Sequence, residues 1–249
     1  MAGKITLESL EEMDYSRKEA LNSLRTNLQF SGVDKKVILF TSCTPNEGKS
    51  TVTMELARSI SESDKKVLLI DADLRKSVLV GRYHMQGKGE IKGLSHFLSG
   101  QNTIDDVIYH TDLEGFDLIV AGPVAPNPTE LLGKELFKQT LQELREQYDM
   151  ILVDCPPLGW IIDAAVVAPF CDASILVVES DAISYRYLQD VKKQLEITGI
   201  PILGVVLNKV KVGTGQYGKY GKYGGKYGKY GKYGKYGEYG EYSSDSNVK

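Results

Sequence analysis

The run Val37-Ile38-Leu39-Phe40, followed directly by Thr41-Ser42-Cys43-Thr44-Pro45-Asn46-Glu47-Gly48-Lys49-Ser50-Thr51, decides how this chain is read. Consecutive apolar residues suit a parallel strand covered on both faces, and a helical pattern runs from Lys49 to Ser63. The loop between them therefore stands at a strand-to-helix junction. Such a loop aims its backbone N–H groups and the positive helix end at phosphate, Lys49 reaches the terminal phosphates, and the Ser50 hydroxyl can bind Mg²⁺. Ser42, Thr44, Asn46, Glu47, Gly48, Lys49, Ser50 and Thr51 are the candidate nucleotide contacts. The usual pattern is GxxxxGK[ST], and Cys43 occupies its first glycine position here. A bare Gly-Lys-Ser often does no more than start a helix; the strand-loop-helix setting is what favours phosphate.

Outward from this junction, similar apolar runs recur at Val67 to Ile70, Leu118 to Val120, Met150 to Val153, Ser174 to Val178 and Ile202 to Leu207. Helical candidates lie between most of them, at Pro128 to Gln147, Ile162 to Phe170 and Tyr185 to Thr198. The alternation predicts an α/β fold, a doubly wound and mostly parallel sheet like those of P-loop NTPases. Asp14 to Phe30 carries Ala20, Leu21, Leu24 and Leu28 as a helical stripe, an amphipathic leading helix. Between Lys76 and Tyr109 the pattern loosens into loops and short helices. The chain divides into residues 1–35 with the leading helix, a nucleotide-binding domain over 36–210, and a tail over 211–249.

Two of the strands end on acids. Asp71-Ala72-Asp73-Leu74-Arg75 closes the second; alternate residues of an extended chain point the same way, so Asp71, Asp73 and Arg75 are expected to share a face toward the phosphate loop. Val153-Asp154-Cys155-Pro156 puts a carboxylate at the end of another buried strand, where a metal-bound water is a usual partner. Singly, such aspartates cap helices or close turns. Three at the carboxyl ends of strands, where open parallel sheets bind ligands, favour a Mg-nucleotide. Asn208 closes the last strand where a base-contacting side chain can lie. Cys43, Cys155 and Cys171 have no CxxC spacing and no adjacent histidine, which reads as packing in a reducing compartment, and His84, His96 and His110 as loop or surface residues.

The formal net charge of −3 hides an asymmetry: residues 211–249 carry eight lysines against three acids, or +5, which leaves −8 on the rest. That argues against a nucleic-acid surface on the body. No stretch approaches the ~20 apolar residues needed to cross a bilayer. From Gln216 to Tyr242 the chain beats almost wholly in threes, tyrosine, glycine and lysine or glutamate, interrupted once at Gly224-Gly225, and holds nine of the fifteen tyrosines. With no Val, Ile, Leu or Phe, such a segment is expected to be disordered, a row of solvated phenols.

Together the phosphate loop, Asp71-Ala72-Asp73, the Asp154 strand, the stretches Gly93 to Gly100 and Pro126 to Leu132 and the tyrosine cluster resemble the bacterial tyrosine kinases (BY-kinases) of the capsule and exopolysaccharide class, in the stand-alone form of Gram-positive bacteria. The resemblance implies a kinase using ATP and Mg²⁺, with Lys49, Asp71, Asp73 and Asp154 as the catalytic set. Lys49 would hold phosphates, Asp71 and Asp73 serve the phenol and the metal, Ser50 and Asp154 complete the metal shell, and Arg75 and Asn208 join the nucleotide contacts. It implies autophosphorylation in trans at Tyr217, Tyr220, Tyr223, Tyr227, Tyr230, Tyr233, Tyr236, Tyr239 and Tyr242, and control of polysaccharide synthesis and chain length. Implied partners are a transmembrane activator of the polysaccharide co-polymerase type, acting through its cytoplasmic C-terminal segment, and a cognate tyrosine phosphatase. The location would be the cytoplasm, at the inner face of the membrane. The family's ring-forming ExxRxxR motif appears as Glu19 to Arg25 with Asn22 in place of its middle arginine, so Glu19 and Arg25 remain for a ring-like homo-oligomer.

Two other readings stand beside this one. A partition- or septum-type ATPase, switching between monomer and dimer with ATP, shares the loop and sheet, but such proteins carry a second lysine early in the loop, where Ser42, Cys43 and Thr44 stand, and lack a tyrosine ladder. A low-complexity tail acting alone through aromatic contacts leaves Lys49, Asp71, Asp73 and Asp154 without a task.

Overall fold

A computed structural model describes residues 3–32 and 34–211. Among the described residues nine strands form one sheet: β1 (Gly3–Leu7), β2 (Val37–Ser42), β3 (Val67–Asp71), β4 (Met85–Gly87), β5 (Tyr109–His110), β6 (Phe116–Ile119), β7 (Met150–Asp154), β8 (Ala173–Glu179) and β9 (Ile202–Asn208). Their order is β4-β1-β5-β6-β3-β7-β2-β8-β9. The six strands from β6 to β9 in that order pair in parallel, and the antiparallel contacts are β1 with β4 and β5 with β6. The expected doubly wound, mostly parallel sheet is therefore present.

Helices cover both faces: α1 (Tyr15–Phe30) and α2 (Lys49–Ser61) on one, and α4 (Leu94–Leu98), α5 (Pro128–Leu132), α6 (Glu135–Leu144), α7 (Asp163–Val167) and α8 (Tyr185–Glu196) on the other, with the short α3 (Leu79–Arg82) beside β4. Strand β2 is buried at every position because its residues alternate between two cores. Val37 and Leu39 pack with Phe137, Leu141, Val167 and Leu195 under α6 to α8, while Ile38 and Phe40 pack with Leu21, Met54, Leu56 and Ile60 under α1 and α2. Each fully buried side chain of this size contributes about 1.5–3 kcal/mol, which is why the strands read as unbroken apolar runs.

Three departures from the expected elements have local causes. Gly3–Leu7, read only as the start of a helical segment, is a sheet strand with Ile5 and Leu7 buried. The helix expected over Pro128 to Gln147 breaks at Gly133-Lys134 into α5 and α6. The third strand stops at Asp71, and Ala72 to Leu74 turn, with the Leu74 amide donating to the Ala72 carbonyl. The nine repeat tyrosines and the expected disorder of the tail lie outside the described residues.

Candidate active site

Strand register builds the site. Asp71 and Asp154 end adjacent parallel strands and lie directly opposite one another, and Phe40, two residues before the end of β2, is opposite Asp154 on the other side. Neighbouring Cβ atoms in such pairs stand roughly 5 Å apart, so the two carboxylates face the same small volume. The chain leaves β2 toward β3 on one side and leaves β7 toward β8 on the other. That divergence opens the crevice at the carboxyl ends where such sheets bind nucleotide.

The phosphate loop is held from within. Gly48, at φ +88°, precedes α2, and a Cβ there would stand 2.1 Å from Asn208 Nδ2, so only glycine lets Asn208 close over the loop. Asn208 Nδ2 donates to the Glu47 carbonyl (2.9 Å), and Lys209 Nζ donates to the Asn46 carbonyl (2.6 Å) and pairs with Glu179 (2.8 Å). The Glu47 carboxylate turns inward, is 1% exposed, and accepts from the Thr44 amide at 2.7 Å. The Ser42 hydroxyl donates to the Thr44 carbonyl (2.9 Å). The Thr51 hydroxyl accepts from Arg82 (2.6 Å). Residues Asn46 to Thr51 are thus assembled with their amides at the amino end of α2, as anion binding requires.

Lys49 Nζ, 6% exposed, lies 2.5 Å from Asp154 Oδ1 and 3.2 Å from Ser50 Oγ. Burial alone would lower the ammonium's pKa, but Asp154, with Asp71 and Asp73 behind it, raises it, so the lysine is held charged. Asp154 Oδ2 is buried and has no hydrogen-bond partner. Asp71 is 1% exposed; burial first, then Asp154, pushes its pKa up to about 7. Its two oxygens are fixed from opposite ends: Oδ1 accepts from the Asp73 amide (3.1 Å) and Oδ2 from the Ser77 hydroxyl.

The shared face expected of Asp71, Asp73 and Arg75 is not found, because the extended conformation ends at Asp71. Asp73 Oδ1 instead accepts from the Arg75 and Lys76 amides (3.2 and 2.9 Å), closing a turn. Arg75 turns to Asp163, a fully buried acid, with bonds of 2.7 and 3.0 Å, and to Thr129 (2.8 Å), whose hydroxyl also donates to Asp163 (2.6 Å). Sequence reasoning missed Ser77, Thr129 and Asp163; the one visible signal was an acid inside the apolar stretch Ile161 to Val167. The cysteines are buried, with Cys43 pushed up to about 12 by burial and by Glu47, and Cys155 and Cys171 also raised by burial, so none is a thiolate nucleophile. In α1, Arg25 donates to the Ser59 carbonyl (2.5 Å) and Glu19 accepts from Asn22 (3.3 Å).

A family model described as an AAA domain matches residues 35–198. Over 216 residues the chain is 42% identical to the tyrosine-protein kinase CpsD of Streptococcus pneumoniae, spanning 86% of this chain and 94% of that protein. The chain belongs to the bacterial tyrosine kinases. The solved kinase domain of the Escherichia coli tyrosine kinase ETK superposes with a TM-score of 0.75 at 33% identity, covering 83% of this chain and 84% of that one. The septum site-determining protein MinD of Pyrococcus horikoshii, solved with Mg-ADP, gives 0.59 at 27% identity over 71% of each chain. As a family member this chain is a protein-tyrosine kinase on a nucleotide-binding P-loop fold, and the ATPase alternative is the weaker match.

Proposed function

We propose that this kinase transfers the γ-phosphoryl group of ATP to the tyrosines of its own C-terminal repeat in trans, and that this self-modification regulates capsular or exopolysaccharide synthesis and chain length. The observation that carries the reading is the in-register Asp71–Asp154 pair with Lys49 between the phosphate loop and Asp154. Lys49 and the amides of residues 46–51 hold the phosphates. The tyrosine hydroxyl oxygen attacks the γ-phosphorus, the bond to the bridging oxygen breaks, ADP departs and the phenolic proton passes to Asp71. A phenol of pKa ~10 is protonated at neutral pH, so a base that is half-ionised there is suited to orient it and finally accept its proton.

Mg²⁺ keeps waters and phosphate oxygens as ligands, so one or two carboxylates of the chain suffice to hold it. The partnerless Asp154 Oδ2 fits a water of that shell, and Ser50 and Asp73 are the other residues that would hold it. When bound, the ion neutralises charge on the phosphates.

No helix among the described residues is long and apolar enough to cross a membrane. The resemblance supports a transmembrane activator's cytoplasmic segment, an opposing tyrosine phosphatase and a homo-oligomer using Glu19 and Arg25. Mixing the protein with Mg-ATP tests the transfer: phosphotyrosine forming in step with ADP supports it, whereas ADP and free phosphate without labelling return the ATPase reading.

A further inference from the structure

We propose that Trp160, on the rim of the nucleotide crevice, is a stacking subsite for the Tyr-Gly-Lys repeat of a second copy, holding one ring while the tyrosine three residues away is phosphorylated. The proposal rests on the repeat being the acceptor. Trp160 is 68% exposed, and Ile162 beside it is 63% exposed. The backbone that leads into Trp160 is held in place. The Leu158 amide donates to the Ser42 carbonyl (2.9 Å) and to Thr41 Oγ1 (3.1 Å), and the Tyr187 hydroxyl donates to the Gly159 carbonyl (3.1 Å). A Cβ on Gly159 would stand 2.3 Å from the Cys43 carbonyl oxygen and 2.4 Å from the Tyr187 hydroxyl. The backbone just before Trp160 is therefore clamped to the first residues of the phosphate loop, six positions beyond Asp154.

The repeat supplies what such a site would bind. Apart from the four-residue step between Tyr223 and Tyr227 its tyrosines recur every third residue, and a polyproline-II chain, with three residues per turn, advances roughly 9 Å in that distance and keeps the rings on one side, so a phenol at Asp71 leaves the next ring facing the rim. A glycine follows every repeat tyrosine but Tyr242, leaving the ring faces open to stacking, and the lysines add a cation for the indole face. Charge favours the encounter, since the repeat-bearing segment carries +5 and the remainder −8.

The test uses full-length kinase and, as acceptor, a full-length Asp71→Asn copy at varied concentration. Trp160→Ala in the kinase copy is expected to raise the acceptor KM about 10-fold, the size of one aromatic contact, with kcat and ATP affinity unchanged and with Trp160→Phe restoring most of the loss. Trp160 is the chain's single tryptophan. Without ATP, an acceptor that also carries Trp160→Phe should change the kinase's indole emission saturably. An unchanged acceptor KM, failure of Phe to rescue, or an equal loss of ATP affinity overturns the subsite while leaving the acceptor reading standing. If the wild-type kinase labels no repeat tyrosine on the acceptor copy, the acceptor reading fails and the subsite with it.

Discussion

Lys49 and Asp71 flank Asp154 and carry opposite consequences for stability. Removing the ammonium with Lys49→Met leaves Asp154 buried and unpaired, expected to cost about 3–5 kcal/mol. Asp71→Asn removes a carboxyl whose ionisation burial and Asp154 oppose, so at pH 8, where that charge must be carried, it is expected to stabilise by on the order of 2 kcal/mol while phosphotransfer is lost. Urea midpoints of the two variants check this, and equal shifts of the same sign would contradict it. The pH dependence has a definite sign. A carboxyl whose pKa is raised on folding favours the folded state when protonated; its contribution falls as pH rises from its ordinary value near 4 through about 7. The rate needs the ionised form and rises over the upper part of that window. Wild type compared with Asp71→Asn should therefore lose relative stability from pH 5 to 8 as wild-type activity climbs. Asp71 and Asp154 were legible because each closes an apolar strand run, and Lys49 because the loop that carries it joins such a run to a helix. Ser77 and the Arg75–Asp163–Thr129 cluster were not, since their partners meet only through tertiary packing.

Among elements, α2 and the strands around it could be read from consecutive apolar residues, which only a sheet buried on both faces demands. Strand β1 could not, because only Ile5 and Leu7 of its five residues face inward, too short an alternation to stand out ahead of the helical stripe of α1. Its insertion between β4 and β5 makes the amino-terminal segment part of the core. Ile5→Ala is expected to cost about 2–4 kcal/mol, read by chemical denaturation; a change below ~0.5 kcal/mol would mean that the strand is dispensable. The break at Gly133 escaped the pattern since both halves, α5 and α6, keep apolar residues at helical spacing. In α1, the Arg25 bond to Ser59 and the Arg17 pair with Glu55 strap the helix to α2, which leaves Glu19 as the motif residue turned to solvent.

For the molecule as a whole, charge is the quantity that phosphorylation changes most. Each phosphate adds about −1.5 to −2, so nine of them would take residues 211–249 from +5 to roughly −10. Segments attracted to acidic neighbours before modification are repelled afterwards, and a self-labelled protein is expected to elute as a smaller assembly than Asp71→Asn; identical elution would argue against charge-driven release. The central claim is that the crevice bounded by Lys49, Asp71 and Asp154 phosphorylates that repeat. Mass-spectrometric mapping of full-length wild type and Asp71→Asn after Mg-ATP tests it most directly. Phosphate on tyrosines between Tyr217 and Tyr242 in wild type, and at most a trace in Asp71→Asn, is the expected result, while equally heavy labelling of both proteins, or labelling confined to tyrosines outside the repeat, would contradict it.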